Sequence, residues 1–134
     1  MSKPLHPKYP EAETFTFGDS RGLCEELLAL VRSGEKTATC GALRDFQSGG
    51  EAMPVLGRRD IALDWDGQPA LVIETTSVAI LRYCDVPEEF ALAEGEGTFD
   101  FWKTAHREYF TRNGGFDPEM ELVCERFKLV EVLA

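Results

Sequence analysis

Asp66-Gly67 stands between two apolar runs, Asp60 to Trp65 and Gln68 to Thr76, and this dipeptide constrains the chain more than any other part of it. Asp and Gly tolerate the positive φ that a tight two-residue hairpin turn demands, so two antiparallel strands are expected to meet there. Such a turn also sets the register. Trp65 is expected opposite Gln68, Leu63 opposite Ala70, Ile61 opposite Val72 and Arg59 opposite Glu74. Glu74 then extends the face that carries Ile61, Leu63 and Val72.

Other segments take their type from spacing and punctuation. Residues 1–13, rich in proline and charge, read as an extended N-terminal arm, and residues 14–134 as one domain. Phe15 and Phe17 alternate with Thr14 and Thr16 as in a short strand. Leu23, Leu27, Leu30 and Val31 fall at helical spacing after a cap at Asp19 or Ser20, and Gly34 ends that helix. Gln47 to Pro54 reads as a loop, and Thr75 to Tyr83 as a further strand. Thr98 caps a helix carrying Phe99, Trp102, Ala105, His106 and Tyr109, which stops at Asn113-Gly114-Gly115. Leu122 to Leu133, rich in valine and leucine, reads as a closing strand. Strands interrupted by a few helices, without a βαβ rhythm, predict a mainly β fold with flanking helices, its sheet closed or nearly so.

With 134 residues, 43% of them apolar, the chain can bury one core and has no room for a second domain. No apolar run is long enough for a membrane span or a secretory signal, which places the expected location in the cytoplasm. Cys24, Cys40, Cys84 and Cys124 are far apart, with no C-x-x-C pair and only two histidines beside them. They are expected to be small buried hydrophobes, with no metal and no cofactor. The net charge of −10 repels phosphate backbones. A nucleic-acid ligand therefore needs a local basic pocket, or else it is a nucleoside or short piece.

Three groups of residues offer chemistry. Lys36, with Thr37 and Thr39, follows the first helix stop. It is either a solvated turn lysine, or a partly buried amine that takes a proton from a threonine and makes it a nucleophile. Glu74 is either the ion-pair partner of Arg59 or a carboxyl at the mouth of the sheet with a raised pKa, suited to proton transfer. Glu94, Glu96 and His106 either complement a helix dipole and fill a core, or form a lid in which His106 or Trp102 stacks on a flat base.

The ordered set G-x-K-T-A-T at Gly34 to Thr39, L-D-W-D-G at Leu63 to Gly67 and I-E-T-T at Ile73 to Thr76 resembles the ASCH family. E-G-E-G at Glu94 to Gly97, F-W-x-x-x-H at Phe101 to His106 and V-C-E-R-F at Val123 to Phe127 resemble its longer bacterial branch. The resemblance implies a PUA-like β-barrel with flanking helices, a cleft walled by the lysine turn, and RNA or a modified nucleoside as ligand. In a short branch that includes the N(4)-acetylcytidine amidohydrolases, a lysine accepts the proton, a threonine three residues later is the nucleophile and a strand glutamate donates the proton. Lys36, Thr39 and Glu74 match that pattern by type and order.

Two enzyme readings follow, ranked ahead of a third. The first removes an acyl group from cytidine with Lys36, Thr39 and Glu74. The second is a metal-independent ribonuclease in which Lys36 stabilises phosphate charge and Glu74 or His106 moves the proton. The third is a non-catalytic module that holds RNA or a nucleotide by stacking and by a basic patch of Lys36, Arg44, Arg58 and Arg59. In each, the expected partner is RNA or a nucleoside, with no membrane and no obligate metal, and the oligomeric state is left open.

Overall fold

A computed structural model describes residues 8–48 and 50–133. The elements are β1 (Thr14–Thr16), α1 (Arg21–Ser33), β2 (Ala38–Ala42), α2 (Leu43–Gln47), β3 (Arg59–Leu63), β4 (Pro69–Arg82), α3 (Glu88–Ala93), α4 (Phe99–Arg112) and β5 (Glu121–Val132), with a 3-10 turn at Tyr83–Asp85. They form one mixed sheet of five strands in the order β1-β3-β4-β5-β2, flanked by the helices. β1 runs parallel to β3, and the other neighbours are antiparallel.

The hairpin register holds away from the turn, where Arg59 lies opposite Glu74 and Ile61 opposite Val72. Next to the turn it slips, and Leu63 faces Pro69. The cause is Asp64, whose carboxylate accepts the main-chain N–H of Asp66 and of Gln68 while its own N–H donates to the Gln68 carbonyl. The turn therefore takes in Asp64 to Gln68, with Gly67 at φ 82°, and the expected pairs of Trp65 with Gln68 and Leu63 with Ala70 do not form.

β4 is one continuous strand rather than the expected two. Its first half pairs with β3 and nearly its whole length with β5, with register shifts at Val72/Ile73 and Thr75/Ser77. Such irregularities bend and coil a strand. The expected closure into a barrel is not seen, because among the described residues β1 and β2, the two ends of the strand order, do not pair. Both are short, of three and five residues, and the side chains they present line a cleft between them.

Two apolar clusters fix the helices. α1 inserts Cys24, Leu27, Leu28 and Val31 against Ala62, Leu71, Ile73 and Phe127. Its N-terminus is capped by Ser20 and its last turn is closed by Gly34 at φ 85°, as the sequence pattern required. α4 inserts Trp102 and Phe110 into a second cluster with Phe90, Ala38, Leu122 and Cys124. The part of the N-terminal arm at residues 1–7 lies outside the described residues. From residue 8 on, the arm joins the fold: the Tyr9 ring is buried against Ile61 and Val72, and its hydroxyl hydrogen-bonds Glu131. Among the described residues no helix is long and apolar enough to cross a membrane.

Candidate functional site

The segment after α1 turns Lys36 inward. The Lys36 N–H donates to the Leu30 carbonyl, the Thr37 N–H to Ala93, and the Thr37 carbonyl accepts from Phe127, so the strap is tied to helix, strand and the end of α3 at once. Gly95 closes this contact from the other side. At φ 75° it presses so near the Glu35 carbonyl that a Cβ there would lie 2.4 Å from the oxygen. Strand-like alternation then buries Lys36, exposes Thr37 and buries Ala38.

Lys36 is only 1% exposed. Its ammonium donates to Glu94 Oε1 at 3.1 Å and Glu96 Oε2 at 3.4 Å, with the Glu94 carbonyl at 3.5 Å. Glu94 Oε2 accepts the Trp102 indole N–H at 2.8 Å, and His106 Nε2 lies 3.6 Å from Glu94 Oε1. The imidazole stacks on Trp102, centroids 4.3 Å apart. Burial works to raise the Glu94 carboxyl, but the Lys36 charge, His106 and the Trp102 hydrogen bond outweigh it and hold its pKa at about 2. For Glu96 burial prevails, aided by the charge of Glu94, and its pKa is raised. His106 is also raised: burial lowers it, yet the hydrogen bond and charge of Glu94 win.

This cluster opens on a cavity of about 310 Å³ lined by parts of β1, α1, β2, α2, β3, β5 and α4. Thr39 of β2 lines it, and directly across the ladder so does Glu125 of β5. Glu125 accepts a hydrogen bond from the Thr75 hydroxyl at 2.6 Å, and burial raises its pKa. Nine carboxylates line the cavity (Glu13, Glu26, Asp45, Glu51, Asp60, Glu94, Glu96, Glu108, Glu125) against Lys36, Arg112 and the imidazole of His106. Phe15, Phe17, Phe46, Phe101 and Tyr109 add flat apolar surface.

Of the residues singled out from sequence, Lys36, Thr39, Glu94, Glu96 and His106 line this cavity, whereas Thr37, Arg44, Arg58, Arg59, Glu74 and Trp102 do not. Glu74 lies on the other face of β4 with Val72, held by Arg59 at 3.1 Å and Lys128 at 3.5 Å, and Arg59 holds its carboxyl below the usual range. Trp102 is 1% exposed and sits behind His106, so it supports the imidazole rather than lining the cavity. Thr37 points out, its hydroxyl 3.5 Å from the Ala93 carbonyl. The expected basic patch does not assemble. Arg44 donates to the carbonyls of Asn113 and Gly115, Arg58 to Asp60 and the Met53 carbonyl, and Arg59 to Glu74. Each guanidinium is drawn to its own nearby acceptor.

Glu125 is a cavity residue outside the three groups the sequence offers, although the Val123-x-Glu125-x-Phe127 alternation in β5 marks a carboxyl inserted into an apolar strand face. Cys40 also lines the cavity, its thiol pushed up by burial and by the charge of Glu94.

Comparison with known proteins agrees with this architecture. The crystal structure of an ASCH domain from Lactobacillus crispatus matches 96% of this chain and 86% of its own, at 34% identity and TM-score 0.80. A protein from Enterococcus faecalis matches 90% of this chain and 77% of its own, at 39% identity and TM-score 0.81. An ASCH protein from Zymomonas mobilis, 12% identical over 81% of this chain and 67% of its own, shares the fold at TM-score 0.53. No curated protein matches the sequence. The ASCH domain model matches residues 13–131, and the chain belongs to the ASCH domain family.

Proposed function

We propose that the chain is a nucleoside-directed hydrolase that removes an acyl group from the exocyclic nitrogen of a cytidine-type base. The observation that carries this reading is that Lys36, Thr39 and Glu125 share one cavity in which carboxylates far outnumber cations. About 310 Å³ is at the lower end of the about 300–1,000 Å³ of small-molecule sites, a fit for a nucleoside rather than a duplex. The carboxylates repel a phosphate chain but accept hydrogen bonds from a base or sugar, and the aromatic rings offer stacking surfaces.

The roles differ from those implied by resemblance alone. The Thr39 hydroxyl attacks the acyl carbon, the C–N bond breaks, and water then cleaves the acyl-threonine to release the acid. Glu125, across the strand from Thr39, takes the place expected of Glu74: it receives the hydroxyl proton and passes it to the departing amine. The Lys36 ammonium, whose three N–H groups are turned to Glu94 and Glu96, has no lone pair for proton abstraction and contributes through the field of its charge at the cavity wall.

The test is to incubate the pure protein with N(4)-acetylcytidine and follow cytidine by chromatography. Turnover is expected, abolished by Thr39→Ala and reduced about 10²–10⁴-fold by Glu125→Gln. Absence of cytidine, or full turnover by Thr39→Ala, ends this reading. Cleavage of labelled RNA in chelator, lost in Lys36→Ala, would instead select the ribonuclease.

One observation favours a second reading, a nucleoside-binding module without chemistry. All three Lys36 donors are directed at Glu94 and Glu96, as in a structural clasp. Calorimetric binding of cytidine, weakened by His106→Ala and without turnover of any acylated form, would support it.

A further inference from the structure

Cys40, Glu94 and His106 meet at one corner of the cavity, where a sulfur, a carboxylate oxygen and an imidazole nitrogen all lie within 4.8 Å of one another. The hydrolytic roles of Lys36, Thr39 and Glu125 leave this corner without a task.

The orientation of His106 is informative. Its Nδ1 is 2.9 Å from the Trp102 main-chain carbonyl oxygen, which only accepts, so Nδ1 carries a hydrogen. In the neutral ring Nε2 then holds the lone pair, and it faces Glu94 Oε1 at 3.6 Å. Two acceptors confront each other, and a positive species between them removes the conflict. Glu94 has room for a further cation: Lys36 occupies one lone pair of Oε1 and the Trp102 N–H one of Oε2, and a carboxylate offers about four.

Three features favour the ion. Thiolate, imidazole and carboxylate together form a donor set for zinc, and three protein ligands with a fourth position open are the pattern of accessible zinc sites. The spacing is close to what is needed. Bonds of about 2.0–2.3 Å in a tetrahedron separate ligand atoms by about 3.3–3.8 Å, and the His106–Glu94 pair is already at 3.6 Å. The supports that orient metal ligands are also present: a main-chain carbonyl on the far nitrogen of the imidazole, and the Trp102 indole N–H on the second Glu94 oxygen.

We propose that Cys40, Glu94 and His106 form a binding site for a divalent transition-metal ion, zinc by ligand type, with Lys36 retained on Glu94 and the fourth position facing the cavity. Binding breaks the Cys40 S–H bond, forms a sulfur–metal bond and releases the proton to solvent, with no change of oxidation state. The proposal goes beyond the hydrolytic reading and does not depend on it.

Cobalt(II) titrated into the reduced, full-length, tag-free protein is the test. Saturable uptake of one ion is expected, with a thiolate-to-cobalt charge-transfer band, strong visible bands of a tetrahedral site, displacement by zinc, and a proton released. Cys40→Ser should remove the charge-transfer band, whereas Cys84→Ser, which changes an exposed thiol, should leave it intact. His106→Gln should weaken uptake by more than the about 10–100-fold that loss of an outer-shell partner costs. X-ray absorption of the zinc-loaded wild type gives a readout that needs no variant, with one sulfur expected at about 2.3 Å. No band at excess cobalt, a band that survives Cys40→Ser, or a zinc shell without sulfur would overturn the site.

Discussion

Two ion-pair groups of opposite make-up, one cation between two carboxylates and one carboxylate between two cations, lie on different faces of the molecule, and they differ in almost every consequence. Lys36 with Glu94 and Glu96 is buried, tied to Trp102 and His106, and opens on the cavity. Arg59 and Lys128 with Glu74 stand in contact with solvent, away from the cavity. In the first, each charge depends on its partner because water cannot replace it. In the second, water replaces any partner that is removed. Burial, rather than residue type, therefore decides which carboxylate matters to stability and which can take part in chemistry.

The most severe way to break the buried group is Glu94→Ala. It strips Lys36 of its nearest counter-charge and leaves the Trp102 indole N–H without its acceptor. Loss of one partner of a buried pair costs about 3–5 kcal/mol, which urea unfolding followed by circular dichroism will show as a large fall in midpoint. Gly95→Ala should come next. A side chain at positive φ costs about 1–2 kcal/mol, and here the Cβ also meets the Glu35 carbonyl at 2.4 Å. Gly67→Ala gives the matching control. Gly67 has a similar φ of 82° but nothing within 4 Å, so only the backbone cost should appear in its melting temperature.

These two glycines also show what was legible in the sequence. Gly67 announced its turn through its neighbour Asp66, and the register it set reached Arg59 and Glu74 correctly. Gly95 carried no such local sign, because its demand comes from Glu35, far away in the chain. The same division runs through the whole molecule. α1 and α4 were readable from caps and apolar spacing, whereas α2 and α3, of five and six residues, are too short for periodicity to register. The sequence leaves Glu74 two places, beside Arg59 or at the mouth of the sheet, and the ion pair with Arg59 is the one that forms. Ala70 to Ile73 are all buried, so both faces of β4 look like core and the text does not say which one meets the cavity. The place of Glu125 is hidden for the converse reason: it is set by Thr39 across the ladder and by the Thr75 hydroxyl that donates to it, both distant in the chain.

A smaller effect sharpens the comparison through pH. His106 has a folded pKa above its ordinary 6.5, so the protonated imidazole stabilises the fold fully below about 6.5, and that contribution is lost as pH rises through the higher folded value. Glu94 has the opposite sign. Its contribution is present above its ordinary 4.5 and is lost as pH falls towards about 2. His106→Gln should flatten the decline of stability above pH 6.5, a slope bounded at about 1.4 kcal/mol per pH unit for one proton, and leave the acid limb in place. Urea midpoints measured at a series of pH values check both limbs.

The smallest effect is expected from Glu74→Ala. The carboxyl is paired with Arg59 and Lys128, but both cations are largely exposed and hydrate freely once it is gone. The urea midpoint should stay within experimental error, and release of cytidine from N(4)-acetylcytidine should equal that of the parent protein. The two measurements separate two ways of being wrong. A fall in midpoint alone would mean that the outer ion pairs stabilise the β3–β4 hairpin more than exposed pairs do. A loss of turnover at unchanged midpoint would bring Glu74 back to the reacting atoms, and it would require the ligand to sit on the Val72 face of β4, because a side chain there cannot reach Thr39 through a strand whose other face is filled by Ile73 and Thr75.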